Sequence, residues 1–434
     1  MLMDNKKMNS KKIIFATSIG TALEWAEFTF FAYMADQLSG LFFSTEDPSL
    51  ARLKTYAIFG TSYFMRPIGA VLFGHIGDKH GRKPAIIGTL LLMALATFGI
   101  GILPTYKTIG IVAPILLVIF RMLQGIAVAG EFNGAAVLLT EHDQQHPFLA
   151  GSWTSCAAAG GMAIGSIAAT ILAANIVPEW FWRVPFLLSS AIALIAIYLR
   201  SNMQETNDFQ TAKKDSKLFA SPIYAAWKHN KEGLLCTVAF ALFISVFVYT
   251  GNIYYKSMAV QIGKLEPQPA AIMITCGILL TTILIHIFGY IADKTNGHKM
   301  CLTGLVLAII FSPLMMSCAL SGNTTLTLIG QVIYAIIDAL VSATFFTVLL
   351  QKFQTGTKYS GSSIAWSITT AIFGGSTLII NALLTGYFNQ LNGPGLYISL
   401  SALICTVIVS LTNKRNGAPG RIRTSDRLVR SQVL

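Results

Sequence analysis

The sequence predicts an all-α polytopic membrane protein with twelve transmembrane helices in two six-helix halves. Three observations carry that prediction. Of 434 residues, 54% are apolar and only 12% are charged, and the mean hydropathy is +0.62; a soluble chain is about a quarter charged. Apolar runs of about 20 residues, the length that crosses a bilayer as a helix, recur along nearly the whole chain. A polar stretch at 201–233 divides them into six and six. A soluble enzyme, a DNA-binding protein and a secreted disulfide scaffold are excluded.

The elements follow in order. Behind Lys6, Lys7, Lys11 and Lys12, the first apolar stretch runs from Ile13 to Phe42. It is too long for a signal-peptide core and no small-residue cleavage site follows, so it reads as a span. Further spans are predicted near 53–76, 84–104, 109–136, 150–175 and 181–200, and beyond the linker near 234–256, 268–292, 301–320, 325–350, 359–388 and 393–412. The domain plan is therefore an N-terminus (1–12), a first bundle (13–200), a central linker (201–233), a second bundle (234–412) and a polar basic tail (413–434), to which no function is assigned.

The net charge of +12 describes orientation and not a nucleic-acid partner. Arg52, Lys54, Lys107, Arg183, Lys256 and Lys264 fall in loops on one side, and Arg66 and Arg121 fall within spans. Every other Lys and Arg lies on the side of the linker and both termini. The positive-inside bias puts that side in the cytoplasm, in a cell inner membrane. The six cysteines show no CxxC spacing and read as small core hydrophobes. His142 and His146 are four apart but lack a third anchored ligand, so no metal is expected. No P-loop, HExxH or GxSxG string is present, so neither an ATP-driven engine nor a hydrolase is indicated.

The chain repeats itself. After the second span stands Gly74-His75-Ile76-Gly77-Asp78-Lys79-His80-Gly81-Arg82-Lys83; after the eighth stands Gly289-Tyr290-Ile291-Ala292-Asp293-Lys294-Thr295-Asn296-Gly297-His298-Lys299. Asp78 and Asp293 are about half the chain apart, as duplication of a six-helix unit requires. Gly74 and Gly77 allow close helix approach, Gly81 allows a tight turn, and Asp78 sits at a helix end where it can meet a cation or a helix N-terminus. Arg82 and Lys83 hold the turn on the cytoplasmic side. Asn296 and one extra residue interrupt the second copy, which predicts a weaker latch at Asp293. Duplicated halves place a substrate near mid-membrane between them.

The string at 74–83 resembles the loop 2–3 signature of the major facilitator superfamily. Within it, Glu24-Trp25-Ala26-Glu27-Phe28 resembles the first-helix pattern Glu-Trp-x-Asp-Phe of the metabolite:proton symporter family. Met65-Arg66-Pro67-Ile68-Gly69, Arg121-Met122-Leu123-Gln124-Gly125, Gly130-Glu131-Phe132, Trp182-Arg183-Val184-Pro185-Phe186 and Phe373-Gly374-Gly375 continue the match. Gly101-Ile102-Leu103-Pro104-Thr105-Tyr106 is most similar to the proline/glycine-betaine branch. The resemblance implies the major facilitator fold and uptake of a small zwitterion or organic acid coupled to inward proton flow, without a cofactor and as a monomer. Glu27 stands where the family has Asp. The loop at Glu141–Pro147 lacks the family's Arg, and Gln351-Lys352-Phe353 lacks its acid, which weakens the expected cytoplasmic salt-bridge latch.

Charges inside spans cost about 2.5–3.5 kcal/mol each on insertion scales and are kept where they have a role. They are Glu24, Glu27, Arg66, Arg121, Glu131 and Asp338, with His286 as a titratable addition. Glu24, Glu27 and Phe28 share one helix face, and Arg121 and Gln124 share another. Glu27 or Glu24 is expected to carry the coupling proton, with Arg121 as counter-ion and as anchor for a substrate carboxylate. Structural ion pairing between helices is the alternative. Glu131 reads equally as a gating pair or a relay, Asp338 as facing the pathway or pairing with a polar neighbour, and His286 as a satisfied core histidine. Trp25, Phe28, Phe31, Tyr33, Tyr249 and Trp366 are candidates to cage a cationic substrate group. Ala157-Ala158-Ala159-Gly160-Gly161 reads as a close helix contact. Two functional alternatives stay open, a proton-coupled exporter and a transport-dead membrane sensor.

Overall fold

The computed structural model describes residues 10–43, 48–80, 82–129, 131–143, 145–173, 178–201, 222–353, 357–387 and 392–416. Among them there is no strand, and the helices group into twelve spans. In the first half these are α1 (Ser10–Tyr33, with a short continuation Ala35–Phe42), α2 (Pro48–His80), α3 (Arg82–Ile102), α4 (Val112–Val128, continued by Glu131–His142), α5 (Pro147–Ala173) and α6 (Arg183–Ser201). In the second they are α7 (Lys231–Val248 and Tyr255–Gln261, joined by a π-helical segment Tyr249–Tyr254), α8 (Pro267–Lys294) and α9 (Gly297–Leu320). They continue as α10 (Thr324–Ser342, then Phe345–Leu350), α11 (Lys358–Thr369 and Gly375–Tyr387, joined by π-helical Thr370–Gly374) and α12 (Gly393–Asn416). The predicted first span divides at Met34, where a turn separates Tyr33 from Ala35.

Local chemistry sets the helix ends. Pro147 and Pro267 open α5 and α8, where a missing N–H costs nothing. Asn323 caps α10 by accepting from Thr325 N and Leu326 N, at 2.9 and 3.1 Å, and Asn296 caps α9 by accepting from Lys299 N at 3.0 Å. Gly110 and Gly322 take positive φ in turns. Outward residues such as Leu95, Ile283, Ile310 and Leu411 are exposed apolar groups, the surface a hydrocarbon solvent calls for. Nine of the described helices are long and apolar enough to cross a membrane.

The two halves meet along α5 against α8 and α2 against α11. On the linker side, the carboxylate of Asp293 in α8 accepts from Phe148 N and Leu149 N at the start of α5, at 2.9 and 2.8 Å. Thr347 Oγ1 donates to Pro147 O at 2.8 Å. The second copy of the repeat thus makes a two-bond latch. Asn296, which interrupts this copy, caps the next helix. On the opposite side Ser166 and Thr275 hydroxyls bond at 2.7 Å. The run Ala157–Gly161 behaves as predicted, since a Cβ on Gly161 would lie 2.1 Å from Ala22 O of α1. Of the cysteines, Cys236, Cys301, Cys318 and Cys405 are buried, whereas Cys276 is exposed on the outer surface.

Candidate substrate and proton site

Close backbone contact between α2 and α4 builds the centre of the first half. A Cβ on Gly125 would stand 1.9 Å from Ser62 O, and one on Gly69 would stand 2.0 Å from Ile126 O. These glycines bring Ser62 within reach of the helix-four arginine. Arg121 is completely buried, its Nη1 donates to Gln124 Oε1 at 2.9 Å and its Nη2 to Ser62 Oγ at 3.4 Å. The guanidinium carbon lies 4.8 Å from the Phe28 ring centre and 4.2 Å from that of Phe31. A buried cation survives only where such groups replace water.

Gln124 turns its amide toward α1 and α3. Its Nε2 donates to Thr97 Oγ1 at 2.8 Å and to Glu27 Oε2 at 3.4 Å, and the Thr97 hydroxyl donates to the same Glu27 oxygen. Gln124 thus connects Arg121 to Glu27. Glu24, one turn before Glu27, is buried as well. Both glutamates line a small cavity of about 20 Å³ together with Thr89, Met93 and Val128, which is room for about one water molecule.

A second guanidinium completes the arrangement. Arg66 lies over Tyr63 at 4.1 Å and over Phe28 at 5.0 Å, so the Phe28 ring meets two guanidiniums. The Tyr63 hydroxyl in turn bonds the Tyr249 hydroxyl of α7, joining the halves at mid-membrane. Sequence reasoning noted Arg66 as an intramembrane charge without giving it a site. It missed Thr97, Ser62 and Tyr63 altogether, because neutral polar residues within apolar runs give no outlying signal.

The remaining expected residues divide. Trp25 packs edge-on against Phe132 at 5.4 Å, and Trp366 packs against Phe132, Phe345 and Phe346. The two tryptophans belong to one aromatic cluster that spans both halves, with Phe132 at its centre. Asp338 accepts from Tyr334 Oη at 2.8 Å and Ser342 Oγ at 2.7 Å, and Asn252 Nδ2 donates to Tyr334 Oη at 2.8 Å. Asp338 therefore pairs with polar neighbours and fastens α10 to α7 through Tyr334. His286 packs on Trp153 at 4.5 Å, and its Nδ1 is buried without a hydrogen-bond partner among the described residues, so it is not the satisfied histidine expected. Asn252 Oδ1, Gln331 Oε1 and Asn381 Oδ1 are likewise buried acceptors without a described donor, gathered around the π-helical part of α7. Gly81 lies outside the described residues, as do the side chains of Asp78, Arg82, Lys83 and Glu131 and the surroundings of Gly74 and Gly77.

The sequence profile of the Major Facilitator Superfamily matches residues 15–378. The chain belongs to the major facilitator superfamily. Relatives of this facilitator include a Staphylococcus haemolyticus protein provisionally named a proline/betaine transporter, 31% identical over 93% of this chain and 87% of that one. The proline/betaine transporter of Escherichia coli K12 is 28% identical over 93% and 83%. Among solved structures, the proton:xylose symporter XylE superposes with a TM-score of 0.71 at 13% identity, covering 93% of this chain and 95% of that one. The E. coli fucose:proton symporter FucP gives 0.67 at 14%, covering 92% and 98%. These superpositions establish the twelve-helix, two-half fold. The facilitator is a multi-pass membrane protein and a secondary transporter of small molecules, not an enzyme.

Proposed function

We propose that the protein imports a small metabolite bearing a carboxylate, zwitterionic or anionic, by symport with a proton. It works as a monomer in the inner membrane with both termini cytoplasmic, and without a cofactor, driven by the proton gradient. The observation that carries this reading is the buried chain Glu27–Gln124–Arg121, with Arg66 as a second cation against the Phe28 ring. With Glu27 protonated, two guanidiniums face one carboxylate at most, and a substrate carboxylate supplies the missing negative charge. Gln124 transmits the change, since its carbonyl accepts from Arg121 and its amide donates to Glu27. When substrate draws Arg121 away, Glu27 loses its link to the cation; when substrate leaves, Arg121 again favours the ionised acid and the proton departs. Glu24 shares the water-sized cavity with Glu27 and passes the proton along it. Arg66 and Arg121 have planar, always charged heads suited to a carboxylate, and Tyr63 with Tyr249 closes the halves over the bound molecule.

The proline/betaine transport named for several relatives and the proton symport named for the structural neighbours support this class. The test is uptake of labelled proline, glycine betaine, 2-oxoglutarate and citrate into vesicles with and without a protonophore. Accumulation of at least one of them, abolished by the protonophore, is expected. Efflux driven by the same gradient would turn the reading to export, and transport of none would support the sensor alternative.

A further inference from the structure

We propose that the short helix Pro222–His229, at the end of the linker, presents a binding surface for the headgroups of anionic phospholipids. Tyr224, Trp227 and Lys228 are spaced i, i+3 and i+4, which puts them on one face of this helix, and Lys231 follows just beyond its end, after Asn230 interrupts the helical path. All four are exposed, Tyr224 at 65% and Trp227 at 70%. The opposite face is anchored. Ala226 is 1% exposed and packs so closely on α11 that a Cβ on Gly361 would come within 3.0 Å of its own. Asn230 Nδ2 donates to Thr357 Oγ1, just before α11, at 2.9 Å. The exposed face is therefore held in a fixed orientation by the second half.

Its depth and charge select the partner. Lys231 begins α7, a span of 31 residues, so the face stands at the boundary between hydrocarbon and water. Indole and phenol rings settle at headgroup level, and lysines there attract anionic lipid. Among the described residues, the charged neighbours are His229, which is exposed, Lys358 beside Thr357, and the half-buried acid Glu232. Cationic groups outnumber the acid, which favours a phosphatidylglycerol-type headgroup over a zwitterionic one. Because the same helix is fixed to the start of α11, a bound headgroup bears on the second half at its linker end, the end latched by Asp293.

The experiment uses the full chain in nanodiscs of phosphatidylcholine containing brominated phosphatidylglycerol or, separately, brominated phosphatidylcholine. The Trp227 signal is taken as the difference between wild type and Trp227→Phe. Brominated phosphatidylglycerol is expected to quench it at a several-fold lower mole fraction, since each lysine near the surface favours anionic lipid about fivefold. Lys228→Gln with Lys231→Gln should abolish that preference, and Lys228→Arg with Lys231→Arg should keep it, which separates charge from folding. Equal quenching by both lipids would reduce the face to an ordinary aromatic belt and overturn the proposal. Quenching by neither would show that protein covers the face, and would overturn it too.

Discussion

The carboxylate of Asp293 receives the first backbone N–H groups of α5, Phe148 N at 2.9 Å and Leu149 N at 2.8 Å, across the junction of the two halves. A negative charge at a helix N-terminus meets both the unsatisfied donors and the positive end of the helix dipole. The bond pair must break for the linker side to open, so it biases the resting conformation.

Asp293→Ala should remove about 1–2 kcal/mol from the closed state, the range for loss of a helix cap. The linker-open population should therefore rise roughly 5- to 30-fold. Spin labels on the linker ends of α5 and α8 would read this as a longer distance distribution. An unchanged distribution would mean that other contacts, such as Thr347 on Pro147, already decide the closure.

Gly125→Ala should be poorly tolerated, because its new Cβ would stand 1.9 Å from the Ser62 carbonyl oxygen and backbone would have to move. Overpacking of that kind costs about 1–3 kcal/mol. The purified variant should unfold at a clearly lower temperature and lose transport, as Ser62 and Arg121 part. Gly386→Ala is the control, with nothing within 4 Å of the new carbon, and should melt like wild type.

Arg121→Lys keeps the charge and loses the planar head that lies between Phe28 and Phe31 while bonding Gln124 and Ser62. Apparent affinity for the transported substrate should fall about 10- to 100-fold, corresponding to about 1.4–2.8 kcal/mol. Substrate protection against thermal unfolding would measure it, and full protection at wild-type concentrations would remove Arg121 from the binding site.

Much of this was legible in the sequence because charge is scarce in it. Twelve apolar runs map onto twelve helical spans, Glu27 and Arg121 stand out by their cost in a membrane, and Gln124 by its place on the same helix face as Arg121. What could not be read was partnership. No spacing reveals that Gln124 stands between Arg121 and Glu27, that Thr97 completes the group, or that Asp338 is bonded to its own helix neighbours Tyr334 and Ser342. Those relations depend on how α1, α3 and α4 are rotated against each other. The rotation is set by close contacts at Gly69, Gly125 and Gly161; the small-residue run at Gly161 is legible as a close contact, but the sequence does not say which helix it meets. Likewise the interruption at Asn296 resembled a damaged motif, and only the fold shows it capping α9.

The central claim is that Glu27 carries the proton that drives uptake. Glu27→Gln preserves the shape of the side chain and its contacts with Thr97 and Gln124 while removing the titrating group. In proteoliposomes with an imposed inward pH gradient, the variant should still exchange labelled for unlabelled substrate yet fail to accumulate it above equilibrium. Accumulation equal to wild type under the same gradient would contradict the account.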